Sequence, residues 1–386
     1  MKSRKWQKSG ERGFFVMKWL NFEGNDWMKS RSVRTAGFFV SAALVLQGFA
    51  ALVSGCGRRT EQPLPAVQAD LVVCTDLEPA VYEPVVKEFE ERTGLTVEVQ
   101  AGTLEEVYGW FAQKQTERSR DGSRGAAQPE EWDLAFGVST ELLDEYKALW
   151  LPCESSEIEM LDSRYVSPDH AWTGFSVLPL VIMYNTNVVT YRELPVGWES
   201  MLEPRWQGRV AFADPEQSDV SALALAAAML SSQSGEDYME RLAENLNREV
   251  LKTVEQGNEG ILDGRYSVGV TTEAAAQTLR SGGADVDYIY PEEGTAAVLD
   301  GTAVRAGSSH EGAAREFLDF TVSRDAQKIM SVSQNRRSVR MDAAAEKGLD
   351  PMEKLPLLEA DQDTFSEAKQ RAKALWQQAA GKEGGA

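Results

Sequence analysis

The sequence predicts an α/β fold, parallel sheet with helices packed on it, repeated in two halves. The first observation is a strand–helix alternation from residue 71 onward, a rhythm that buries strands beneath crossover helices. The second is the return of that rhythm over residues 209–290, after a long apolar segment. The third is length: the 331 residues after position 55 suffice for about two domains. No short internal repeat appears among them.

In chain order, residues 71–74 form an apolar strand. Residues 78–93 form a helix with Val81, Val85, Val86 and Phe89 on one face and Gly94 as its stop. Such spacing marks a buried stripe, and glycine accepts the left-handed cap. Residues 95–99 alternate as a strand, and 104–115 form a second helix. Residues 116–131 are polar and rich in Arg, Ser, Gly and Ala, the composition of an exposed loop. A strand at 132–138 and a helix at 140–149 follow. Residues 175–184 are apolar and broken by Pro179. The second half has strands at 209–212, 266–270 and 286–290, and helices at 220–230, 237–247 and 274–281. Gly257 and Asn258 are assigned to a loop. Helices at 311–321, 323–331 and 365–379 complete the series, and 376–386 is expected as a flexible tail.

Residues 1–55 stand apart. Lys29, Arg31 and Arg34 precede an apolar stretch at 36–53, which runs into Leu52-Val53-Ser54-Gly55-Cys56. A charged start, an apolar middle and small residues before the cut make an export signal. A cysteine at this place resembles the lipobox of bacterial lipoproteins, which implies acylation of Cys56 as the mature N-terminus. An uncleaved membrane helix is the alternative, since about 18 apolar residues can just span a bilayer. Met28-Lys29-Ser30-Arg31 repeats Met1-Lys2-Ser3-Arg4, so Met28 is the expected start. Residues 56–69, with Arg58, Arg59, Pro63 and Pro65, are expected as a lipid-anchored linker. The body is expected outside the cytoplasm, in the periplasm or at the cell surface, held to a membrane.

Composition excludes several classes. Residues 1–55 hold nine Lys/Arg and three Asp/Glu, contributing +6 to the formal −20 and leaving −26 on the rest. Such a body repels nucleic acid, whose binding depends on neutralised phosphates. Any anion must be held by local donors. Cys74 and Cys153 remain after Cys56. Export permits a disulfide, but Cys74 sits in a strand run where free Cys acts as a small hydrophobe, so the pairing stays open. There is no CxxC, and His170 and His310 lie far apart. No metal and no cofactor is expected. Gly-x-Ser-x-Gly, HExxH and Walker patterns are absent, so an enzyme is not expected. A glycosidase pair of carboxylates and a scaffold lipoprotein are the alternatives.

Ligands in open α/β sheets bind beyond the carboxyl ends of strands. Five polar segments lie at such places: Thr75-Asp76-Leu77-Glu78, Gly137-Val138-Ser139-Thr140, Ser218-Asp219-Val220-Ser221, Gly257-Asn258 and Thr271-Thr272-Glu273. Free N–H groups and the macrodipole favour an anion at a helix start, by about 0.3–1 kcal/mol each. Ser, Thr and Asp are also ordinary N-caps, and only convergence on one cleft separates the two roles. The candidate ligand contacts are Thr75, Asp76, Ser139, Thr140, Ser218, Asp219, Ser221, Gly257, Asn258, Thr272 and Glu273. Thr75, Ser139, Ser218 and Asn258 are expected to donate to an anionic group. Asp76 and Glu273 are expected to hold hydroxyls or an amine.

The order of several further segments resembles the periplasmic substrate-binding proteins of ABC transporters, in the group that includes ferric-iron, thiamine, aminoethylphosphonate and hexose-phosphate binders. The carrying residues are Arg92-Thr93-Gly94, Trp172-Thr173-Gly174-Phe175 running into Tyr184-Asn185-Thr186, and Pro204-Arg205-Trp206-Gln207-Gly208. Ala213-Asp214-Pro215, Pro291-Glu292-Glu293-Gly294-Thr295 and Arg336-Arg337-Ser338 complete them. The resemblance implies a two-lobed type II periplasmic binding protein fold with the ligand cleft between lobes. Lobe one would comprise 70–175 and 300–375, and lobe two 176–299, with crossings near 173–180 and 290–298. Thr173, on a crossing strand, would contact the solute. The implied partners are a small-molecule solute, the transmembrane subunits of an ABC permease and the membrane that holds the lipid. The chain is expected to be a monomer.

Ferric-iron members carry adjacent tyrosines after a lobe-two strand, where this chain reads Thr271-Thr272-Glu273-Ala274. Tyrosinate oxygens suit a hard ferric ion, whereas Thr and Glu suit hydroxyls, amines or anions. The expectation is therefore a phosphonate or sugar phosphate. A ferric-iron protein, or a sensor that hands its closed shape to a signalling receptor, is the alternative.

Overall fold

The structure, a computed structural model, describes residues 69–120, 132–360 and 362–381. The signal, Cys56 and most of the linker lie outside the described residues, as does most of the expected loop at 116–131. Among the described residues no helix is long and apolar enough to cross a membrane.

The first half opens with β1 (Leu71–Thr75), α1 (Pro79–Thr93), β2 (Val97–Ala101) and α2 (Leu104–Arg120). β3 (Leu134–Ser139) and α3 (Thr140–Glu145) follow. β1 lies between β2 and β3, parallel to both. α1 buries Val81, Val85, Val86 and Phe89 and ends at left-handed Gly94, φ 75°, as its sequence pattern predicts. Pro84 lies inside this helix and lacks the N–H that would bond the Ala80 carbonyl. Gln334 supplies the missing donor, its Nε2 lying 2.7 Å from Ala80 O. α2 runs to Arg120, so residues 116–120 of the expected loop are helical.

β4 (Thr173–Asn185) is a single thirteen-residue strand, buried throughout. Its first part, through Pro179, pairs with β8 (Ala297–Val304). From Leu180 it pairs with β6 (Val268–Thr272), and from Ile182 also with β7 (Val286–Ile289). Pro179 thus sits at the changeover between the two pairings. The second half holds β5 (Val210–Ala211), α4 (Asp219–Ser231), α5 (Tyr238–Asn245), α6 (Val254–Leu262) and α7 (Glu273–Ser281). Beyond β8 come α8 (Glu311–Thr321), α9 (Arg324–Gln334) and α10 (Gln362–Ala379). Among the described residues the strand order is β2-β1-β3-β8-β4-β6-β5, with β7 beside β4. The sheet is mixed rather than parallel as expected, because β8 runs antiparallel to β3 and β4, and β4 antiparallel to β6 and β7.

Two cores flank the first sheet. One packs Phe89, Phe136, Phe175 and Phe317, and the other packs Phe111, Trp132, Trp150 and Trp172. The second half gathers Trp198, Trp206, Phe212 and Tyr238 around α4 and α5. α10 joins this second core through Ala372, Trp376 and Ala379. Two expectations are corrected here. Residues 362–375 pack with the second half, not with lobe one. The tail does not begin at 376, because Trp376 is fully buried. Cys74 and Cys153 are both buried free thiols in different cores.

Candidate ligand-binding site

The carboxyl ends of β1, β3 and β6 and the start of α4 carry most of the candidate residues. Local capping accounts for several. Ser139 Oγ accepts from Leu142 N at 3.4 Å, Ser218 Oγ from Ser221 N at 3.2 Å, and Thr272 Oγ1 from Ala275 N at 3.3 Å. Thr75, fully buried, accepts from Leu77 N at 3.0 Å. In each case the oxygen is engaged while the hydroxyl proton is still free to donate. Thr140, Thr173 and Ser221 are buried. Thr173 pairs with Thr302 in the sheet. Thr140 packs over Gly301, where an added Cβ would come within 3.0 Å of the threonine methyl.

Two expectations fail on geometry. Gly257 and Asn258 are not in a loop but in the middle of α6. At Gly257 an added Cβ would stand 3.3 Å from Ala211 Cβ, so the glycine serves close helix–sheet packing. The expectation that Glu273 holds a solute hydroxyl or amine is also corrected. Its carboxylate is fully buried and clasped by Arg337, Nε to Oε2 at 2.7 Å and Nη2 to Oε1 at 2.6 Å, while the Tyr290 hydroxyl donates to Oε1. A bidentate guanidinium and a phenol leave it little capacity for anything else.

A charge cluster joins the two halves. Asp76 Oδ1 is sealed from solvent with no hydrogen-bond partner, and so is Asn258 Oδ1. Burial, reinforced by nearby Asp300, pushes the Asp76 carboxyl up to about 7. Asp300 is itself raised by burial, against the pull of Arg336. Arg336 bonds Asp300 and lies 3.0 Å from Ser176 Oγ. Asp219, whose charge also acts on Asp76, pairs with Lys369 at 2.9 Å. Glu141, in the first turn of α3, pairs with the same lysine. Burial pulls the Lys369 ammonium down, but Asp219 and Glu141 outweigh it and hold it charged.

Thr75–Asp76, Ser139–Thr140 and Ser218–Asp219 are therefore brought around one cluster. Glu273 reaches it only through the adjacent arginines, and Gly257 does not take part. A cavity of about 410 Å³ lies beside the cluster, lined by Thr140 and Glu141 from one half, Asp219 and Leu223 from the other, and Val298 and Leu299 of β8. A hollow of about 650 Å³ shares Ser139, Glu141, Asp219 and Lys369 with it. Among the described residues no group of three or more His, Cys, Asp or Glu is placed to hold a metal ion. Lys369, Asp300 and Ser176 escaped sequence reasoning. Lys369 lies within a long helix, where one lysine carries no positional signal.

The family model for bacterial extracellular solute-binding proteins matches residues 136–363. Iron uptake protein A1 of Synechocystis sp. is 25% identical over 300 residues, 72% of this chain and 79% of that protein. The solved structure of iron-bound HitA from Pseudomonas aeruginosa superposes with a TM-score of 0.67 at 20% identity, covering 80% of this chain and 98% of HitA. AfuA from Actinobacillus pleuropneumoniae, with fructose-6-phosphate bound, gives 0.67 at 18% identity, covering 81% and 98%. The fold is the two-lobed type II periplasmic binding protein fold, with its cleft between the lobes.

Proposed function

Because the chain belongs to the bacterial extracellular solute-binding proteins, we propose that it captures a small anionic organic solute, a phosphonate or sugar phosphate, for an ABC importer. Cys56 would anchor it by lipid to the extracytoplasmic membrane face, as a monomer, and the permease's transmembrane subunits would receive the solute. The family is one of binding proteins, and no catalytic constellation is invoked. The observation that carries the reading is the convergence of capped helix starts from both halves on one cluster with a buried lysine and an Asp76 whose Oδ1 has no partner. The free hydroxyl protons of Ser139 and Ser218 are suited to donate to an anion. A neutral Asp76 carboxyl can donate as well, whereas an ionised one repels.

A ferric-iron reading is equally supported, because relatives are named for iron uptake and iron-bound HitA shares the fold. One experiment separates the readings. The full chain is melted with fructose-6-phosphate, 2-aminoethylphosphonate or ferric salt, at pH 6 and pH 8. A solute at a hundred times its dissociation constant should stabilise by about 2.7 kcal/mol. The first reading expects stabilisation by an organic anion, stronger at pH 6. Stabilisation by ferric salt alone, stronger at pH 8, would replace it with the second.

A further inference from the structure

Lys369 is almost wholly buried, 7% exposed, on a helix whose other inward residues, Ala372 and Trp376, belong to the core of the second half. Its two carboxylate partners come from opposite sides of the cleft. Asp219 opens α4, against which α10 packs, so this pair lies within the second half. Glu141 stands in the first turn of α3, in the first half. Lys369 also lines both hollows, each of which takes residues from both halves, so it stands at the boundary between them. A lysine buried this far is retained only where carboxylates compensate it. Here one of the two belongs to the opposite lobe.

We propose that Lys369 is a positioning residue for the binding cycle: an electrostatic clasp by which the C-terminal helix of one lobe holds the start of α3 on the other and sets the resting closure of the cleft. The inference rests on the binding-protein reading, but its test needs no solute. With Lys369 and Asp219 fixed in one lobe, only the Glu141 contact breaks when the lobes part. Each opening exposes Glu141 and leaves the lysine with one carboxylate instead of two. Raised salt weakens the contact once water enters the gap. Asn335 of the first half also donates to Thr278 on α7, at 2.9 Å, and Arg337 pairs with Glu273 at the start of α7, so the clasp acts beside two other contacts between the lobes.

The test is amide hydrogen exchange on the full chain, comparing wild type with Glu141→Gln and Lys369→Met. Glu141→Gln keeps the Lys369–Asp219 pair, the Arg337–Glu273 pair and α10 packing, and removes only the charge that reaches Lys369 from the first half. Expected is roughly tenfold faster exchange at the amides of Leu142 to Asp144 and at Leu180 beside the hinge. Exchange in the second-half core at Val268 and Val270 should stay unchanged. Adding salt to wild type should move the same amides in the same direction. Unchanged exchange in α3 for Glu141→Gln would overturn the clasp. So would acceleration spread evenly into β6, which would make the lysine merely a support for its own lobe. Either failure leaves the solute-binding reading untouched, because that reading is tested by solute-induced stabilisation.

Discussion

At the scale of single residues, burial separates caps from contacts. Ser218 is a solute-donor candidate whose oxygen already accepts from the Ser221 amide, leaving its proton as the part that can face a solute. Ser218→Ala should lower global stability by about 1 kcal/mol, the usual loss for an N-cap, read from the urea midpoint of the full chain. Asp76 behaves in the opposite way. Its Oδ1 lacks any partner, and burial followed by the Asp300 charge lifts its carboxyl to about 7, against about 3.9 in an unfolded chain. Between those values the folded protein binds more protons than the unfolded one. This group's contribution is therefore fully present below about pH 4 and is lost as pH rises through about 7. Asp76→Asn should accordingly melt above wild type at pH 8 and level with it near pH 4. A constant difference across that range would show that Asp76 does not titrate as its burial implies.

Elements explain why some charges are locked and others exposed. β6 delivers Glu273 to the first position of α7, where it is fully buried. Next to β4, the Arg337 backbone bridges Val177, and its guanidinium closes on that carboxylate. Removing one partner of a buried pair costs about 3–5 kcal/mol, because the other charge is stranded. Arg337→Met should lose about that much by denaturant titration. The double variant Arg337→Met with Glu273→Gln should recover most of it. If the double variant is as unstable as the single one, shape rather than charge holds this corner. The same logic explains Pro84 in α1: a helix tolerates it because α9 supplies the donor that the ring removes.

For the whole molecule, one strand ties two sheets together. β4 changes partners between Pro179 and Leu180, and the two lobes meet across contacts at Lys369, Arg337 and Asn335. Proteins of this architecture work by rotation of one lobe on the other, and here β4 passes from one sheet to the other at Pro179. The proposed lipid anchor belongs to this scale too. Cys56→Ser should move the protein from the membrane fraction to the soluble extracytoplasmic fraction, followed by fractionation and labelled-lipid incorporation. Retention in membranes without label would favour an uncleaved apolar segment instead.

Much of this was legible from the chain alone. Strand and helix order follows from local periodicity, because the stripe of Val81, Val85, Val86 and Phe89 must be buried whatever lies opposite it. Capping residues were found for the same reason: a cap is decided within four residues. What needed the tertiary structure was everything decided by partners distant in the chain. Glu273 was turned from a contact into half of an ion pair by a residue 64 positions away. Gly257 became a packing glycine through β5. α10 joined the second lobe, and its lysine met carboxylates from both. Periodicity reports which face is buried, but not against what. Charge pairing depends on distance in space, and only folding sets that distance.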